Sequence, residues 1–207
     1  MNPRFASTLR ATIRGYVKNR PFKLRAGFIM QLHKAAAGIH GWSTTLVPGV
    51  YRTGPVGIEQ SLHTPPEAAF VADEVQLLCD YVTENWSTKT AVHLASYVLW
   101  RMSWIHPFAD GNGRTARALC YVLLSIKLDR LLPATIPDQI ASDKQVYYAA
   151  LAKADAAWLS GSTDVSALET ILAPCIPPNA PGLLRPRHHR PSRREPEPRN
   201  ELPPSHP

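Results

Sequence analysis

Cysteine is scarce in this chain of 207 residues: Cys79, Cys120 and Cys175 are the three present. An odd count, at separations of 41 and 55 residues, argues against a disulfide framework and fits a reducing cytosol. No HxxxH pair and no Cys/His cluster suggests zinc. Long apolar runs are lacking as well. The best candidate, Leu119 to Leu128, is broken by Lys127 and falls short of the roughly 18 residues a membrane span needs. The first twenty residues lack the apolar stretch of a secretory signal; they share with a mitochondrial transit peptide only an Arg-rich, acid-free composition. A cytoplasmic protein without a membrane partner is therefore expected. Charged residues make up 19% against 44% apolar, enough to build a core and unlike a disordered composition.

Acidic residues are missing from residues 1–37, which carry eight Lys/Arg, whereas residues 38–176 hold nine basic and thirteen acidic residues. The net charge of +7 thus belongs to the two ends. Nucleic-acid binding by a folded basic face is not expected from a mildly acidic middle; the basic beginning reads as a solvated or partner-binding arm. Residues 177–207 hold ten of the twenty prolines, interleaved with Arg, His and Glu, and cannot build a packed core. The chain divides into a basic N-terminal arm (1–27), one domain (28–176) and a Pro/Arg-rich tail (177–207).

Within the domain the periodicity predicts a mostly helical bundle. Helices are expected over 23–37, 66–85, 90–105, from 114 or 115 to 129, 142–159 and 165–174. The helix over 90–105 is apolar nearly all round and should be central. Val50 to Thr53 and Val56 to Ile58, flanking Gly54-Pro55, read as a short β-hairpin.

The chemistry concentrates in HPFADGNGRTAR, His106 to Arg117. Gly111 and Gly113 permit a turn whose successive N–H groups form an anion nest. The turn feeds a helix N-terminus, which adds partial positive charge. Arg114 and Arg117 share a helix face, where they oppose the helix dipole; that placement is favourable only beside an anion. Asp110 at the loop mouth is a natural Mg²⁺ ligand when phosphates supply the other oxygens. His106 can act as a base near neutral pH. Base, metal ligand, nest and paired arginines suit phosphoryl or nucleotidyl transfer. GxxxxGK[ST] is absent, and the loop lacks the preceding strand and third glycine of a dinucleotide fold.

These twelve residues resemble the signature HxFx[D/E]GNGRxxR of the Fic (filamentation induced by cyclic AMP) family, in the Fic/Doc superfamily, with every defining position filled. Pro48 to Arg52 followed by Val56 is similar to the family's flap hairpin, and Asp143 to Leu151 to the helix after the signature. The resemblance covers about residues 28–175. It implies an all-α, Fic-like bundle with one small β-hairpin flap, and an adenylyltransferase moving AMP from Mg²⁺-ATP to a Ser, Thr or Tyr hydroxyl of a target protein. His106 would take the proton from that hydroxyl and Asp110 would hold Mg²⁺. Gly111, Asn112 and Gly113 would form the anion hole, with Asn112 near the α-phosphate. Arg114 and Arg117 would hold the β- and γ-phosphates, and Phe108 would point into the core. Val50, Tyr51, Arg52 and Thr53 would dock the target by strand addition. Tyr147 or Tyr148 would wall the adenine pocket or pack in the core. His33 and His93 fall on helices and read as structural. Family members are often silenced by a helix bearing [S/T]xxxE[G/N], whose Glu would capture Arg117. That motif is absent here, which points to a small inhibitory partner protein, as in toxin–antitoxin pairs, or to another control. Relatives using other nucleotide or phosphate donors, and a non-catalytic binding module, are the alternatives.

Overall fold

A computed structural model describes residues 3–18, 22–37, 47–58, 61, 63–140 and 142–178. Eight α-helices follow in order among them: α1 (Pro3–Lys18), α2 (Ala26–Ala37), α3 (Val71–Glu84), α4 (Ala91–Ile105), α5 (Asn112–Lys127), α6 (Ile136–Ile140), α7 (Lys144–Leu159) and α8 (Ser166–Leu172). Short 3₁₀ turns precede α3 and follow α8. The tail beyond residue 178 lies outside the described residues. Among the described residues no helix is long and apolar enough to cross a membrane.

α4 and α5 form the centre. α1, α2 and α6 pack on α5, and α3, α7 and α8 pack on α4. As its composition requires, α4 buries Leu94, Ala95, Val98, Leu99, Met102 and Ile105 on several faces at once. Its start is capped by Thr90, whose hydroxyl accepts the His93 N–H at 3.0 Å. Trp100 Nε1 donates to Asp155 at 2.7 Å and ties α4 to α7.

Two expectations are corrected. The basic beginning does not read out as a free arm: it forms α1, with Phe5, Leu9 and Ile13 spaced four apart and buried. Each such side chain contributes about 1.5–3 kcal/mol, so α1 is a wall of the core, with Arg14 turned to solvent. The hairpin is not formed either. Residues 47–58 run as an irregular segment with a turn at Pro48-Gly49 and bends at Thr53-Gly54, and no strand is present among the described residues. The reason lies in its hydrogen bonds: the Arg52 N–H donates to Pro107 O at 2.9 Å, away from its would-be partner strand, while Pro48 and Pro55 have no N–H to give.

Candidate active site

α4 ends at Ile105, and His106 turns the chain with φ 50° and ψ 58°. That left-handed conformation costs a residue with a side chain about 1–2 kcal/mol, so something must hold it. The His106 N–H donates to Met102 O at 3.1 Å and closes the helix. The larger hold is Arg52, which is buried at 6% exposure. Its Nε donates to His106 O at 2.9 Å and its Nη2 to Ile105 O at 3.3 Å. The same fork reaches Gly54 O at 3.0 Å and Pro66 O at 2.5 Å. Four carbonyls from three segments are thereby gathered by one guanidinium. Arg52, expected to face a target, instead faces inward and fixes the backbone beneath His106.

The His106 ring is oriented by its own helix. Nδ1 lies 3.2 Å from Ser103 O. A carbonyl can only accept, so Nδ1 carries the proton and Nε2 keeps its lone pair. Burial pushes the His106 pKa below its usual 6.5, helped by the positive charge of Arg52 and by His63; the Ser103 carbonyl and Asp110 oppose without reversing the direction. At neutral pH the ring is uncharged.

The loop beyond it is braced from within. Phe108 is fully buried, as its place in the signature implies. Asn112 is buried too, and its amide bonds both backbone groups of Phe108: the Phe108 N–H donates to Oδ1 at 2.8 Å, and Nδ2 donates to Phe108 O at 2.7 Å. The Asn112 side chain is thus spent on the loop, leaving its backbone N–H as what it can offer an anion. Gly111 stands at φ 76° as the N-cap of α5. Thr115 N–H and Oγ1 both donate to Gly111 O, at 3.0 and 2.9 Å. Since this is the first bond of the helix ladder, the earlier amides point out along the axis.

At the mouth Asp110 accepts the Gly111 N–H through Oδ1 at 2.5 Å and meets Arg114 Nη2 through Oδ2 at 3.3 Å. Arg117 is half-buried and lies back over the helix start; a Cβ added at Gly113 would come within 3.2 Å of its Nη1. Among the described residues no group of three or more His, Cys, Asp or Glu side chains is placed to hold a metal ion. Asp110 is a single carboxylate beside the N-terminus of α5, a donor that would suit a Mg²⁺ carried in on phosphates. Tyr147 is buried, with its hydroxyl 3.5 Å from Ser103 Oγ and its pKa pushed up to about 12 by burial. It packs in the core, whereas Tyr148 is exposed.

Segment 47–58 lies against this loop. Val50 and Thr53 are exposed, and Tyr51 leans its ring toward Phe108 with centroids 5.6 Å apart. A cleft of about 270 Å³ opens between Val47, Val50, Tyr51 and Val56 on one side and Ala109 and Asp110 on the other. Of the four residues expected to dock a target, Val50 and Thr53 face out, Tyr51 is half-buried, and Arg52 is buried. Sequence reasoning missed three supports: the inward role of Arg52, the Ser103 carbonyl, and His33, whose ring stacks on Phe108 at 3.7 Å. Only Ser103, three residues before His106 on a helix, lay within reach of a local rule.

Comparison with known proteins bears on the same residues. The model of the Fic/DOC family matches residues 23–124, which include the whole loop from His106 to Arg117. A Fic family protein from Desulfovibrio desulfuricans is similar at 24% identity and TM-score 0.57, over 84% of this chain and 52% of its own. A Fic domain-containing signaling protein from Bacteroides thetaiotaomicron is similar at 20% identity and TM-score 0.59, over 83% and 63%. The Fic-1 protein of C. elegans is similar at 19% identity and TM-score 0.58, over 83% and 46%. These likenesses establish a shared helical fold. The chain spans roughly half the length of the solved structures it matches. No curated protein matches it in sequence.

Proposed function

We propose, from the premise that this chain belongs to the Fic/DOC family, that it is an adenylyltransferase moving AMP from Mg²⁺-ATP to a Ser, Thr or Tyr hydroxyl of a protein. The family is known generally for transferring nucleotide or phosphate groups onto proteins. One observation carries the finer reading. A neutral His106, with Nδ1 committed to Ser103 and Nε2 open, stands directly before an anion nest flanked by two arginines.

The target hydroxyl gives its proton to His106 Nε2 as its oxygen bonds to the α-phosphorus. The bond from that phosphorus to the β-phosphate oxygen breaks, and pyrophosphate leaves. The outward amides at the start of α5 stabilise charge on the α-phosphate. Arg114 and Arg117 hold the departing β- and γ-phosphates. Asp110 is the residue that would hold Mg²⁺, whose chemistry is to neutralise and align the phosphates. Val50, Tyr51 and Thr53 present the target, and Tyr148 offers a face to the adenine. A cytoplasmic setting, suggested by three free cysteines, and a small inhibitory protein whose Glu captures Arg117 belong to the same proposal.

The test is transfer of label from ATP, GTP, UTP or CTP, each labelled on the α-phosphate, into protein of a cell lysate. Incorporation from ATP that disappears with His106→Ala is expected. Incorporation from another nucleotide, or only from a γ-label, would replace AMP by that group. Labelling that survives His106→Ala would sink the assignment.

A further inference from the structure

His33 sits in α2 at 2% exposure, yet both of its ring nitrogens are engaged by backbone from elsewhere. The Gly49 N–H donates to Nδ1 at 2.8 Å. An N–H can only donate, so Nδ1 carries no proton, and the single proton of a neutral imidazole sits on Nε2. From there it is donated to Asp110 O at 2.9 Å. The ring face lies on Phe108, 3.7 Å between centroids and 6° from parallel. Gly49 is seated tightly against α2: it holds φ +83°, and a Cβ there would come within 3.1 Å of Met30 O and 3.3 Å of Lys34 Cβ.

The peptide unit that His33 grips is the one that matters for anion binding. Asp110 O and Gly111 N belong to the same rigid plane. One edge of that plane is held by His33, the other by the Asp110 carboxylate on the Gly111 N–H at 2.5 Å. Were that carboxylate to turn to a cation, the second hold would be released, and His33 would be what keeps the Asp110 carbonyl from rotating toward bound phosphates. A flipped plane would present an oxygen where the nest needs an N–H.

We infer that His33 is a positioning residue that joins the root of the docking segment at Gly49 to the Asp110–Gly111 peptide, so that target docking and phosphate binding share one support. This rests on the adenylyltransferase reading for the identity of the phosphate ligand.

The two links can be cut separately. An Asn amide oxygen falls near the place of Nδ1, and a Gln amide nitrogen near the place of Nε2. His33→Gln should keep Mg²⁺-ATP affinity within about twofold by calorimetry while the Gly49 amide loses about tenfold of its hydrogen-exchange protection by NMR. His33→Asn should do the reverse, keeping Gly49 protected and weakening Mg²⁺-ATP by about tenfold. Equal loss of both properties in both variants, or of neither, overturns the bridge and leaves a packing residue. Should the variants fail to fold, nitrogen NMR on the wild-type ring decides: an Nε2–H tautomer is expected, and an Nδ1–H tautomer refutes it. If the wild-type protein binds no Mg²⁺-ATP, the transferase reading fails, while Gly49 exchange in His33→Gln against His33→Asn still tests the bridge.

Discussion

The two ends of α4 each carry a histidine, and they are built oppositely. At the start, His93 uses both ring nitrogens: Nδ1 meets Glu169 Oε1 at 2.7 Å, and Nε2 meets the Tyr81 hydroxyl at 2.9 Å. That ring ties α3, α4 and α8 together, under a helix start capped by Thr90. At the far end His106 spends one nitrogen on Ser103 and leaves the other open, on a backbone that its own sequence disfavours and Arg52 must hold. A saturated histidine is architecture. A half-spent histidine, placed where the chain is strained and a helix begins, is the one the proposed transfer would use as its base.

The sharpest way to break this contrast is His106→Ala. Label transfer should fall by about a thousandfold, since a general base contributes on that order, with Mg²⁺-ATP affinity by calorimetry nearly unchanged because the base acts in the transition state. Loss of nucleotide binding instead would move His106 from base to ligand. Next comes Arg52→Ala, which strips charged donors from four buried carbonyls. Urea unfolding should show a loss of about 3 kcal/mol or more, and transfer should fall with it. Arg52→Lys should not restore either, because an ammonium cannot span the same fork. His93→Ala should cost about 1–2 kcal/mol in the same unfolding experiment and leave transfer intact; a variant that lost transfer would erase the distinction between the two ends.

The pH profile gives the gentlest test. Burial disfavours the His106 cation, so its pKa lies below 6.5 and the base stays competent at pH 6.5. The turnover rate should therefore hold on acidification past 6.5 and decline, by about tenfold per unit, only once the pH falls below the depressed His106 pKa. The sign for stability follows from the same shift. Below pH 6.5 the unfolded ring takes up a proton that the folded ring resists. The contribution of this site is present above 6.5 and fades as pH falls through the folded value.

The helices around the site were legible because their apolar stripes are local: Val71, Val75, Leu78 and Val82 mark α3 as plainly in sequence as in the core. The loop was legible because its parts are contiguous. α1 is hidden by its charge: four basic residues and no acid between Pro3 and Lys18 mask the stripe of Phe5, Leu9 and Ile13. α6, five residues long, is too short for a periodic signal. Gly54-Pro55 is a true turn signal in the sequence, but the N–H of Arg52 is bonded 55 positions along the chain at Pro107. Partners at such separations, like the 77 between His33 and Asp110, leave no pattern in one sequence.

The left-handed turn at His106 has a consequence for how such a protein can change over generations. Glycine is the residue that this backbone prefers, so His106→Gly should be more stable than His106→Ala by about 1 kcal/mol and equally inactive. Thermodynamics pulls this position toward glycine, and a lineage in which the His106 side chain were no longer needed would find its sturdiest descendants among those that have lost the histidine.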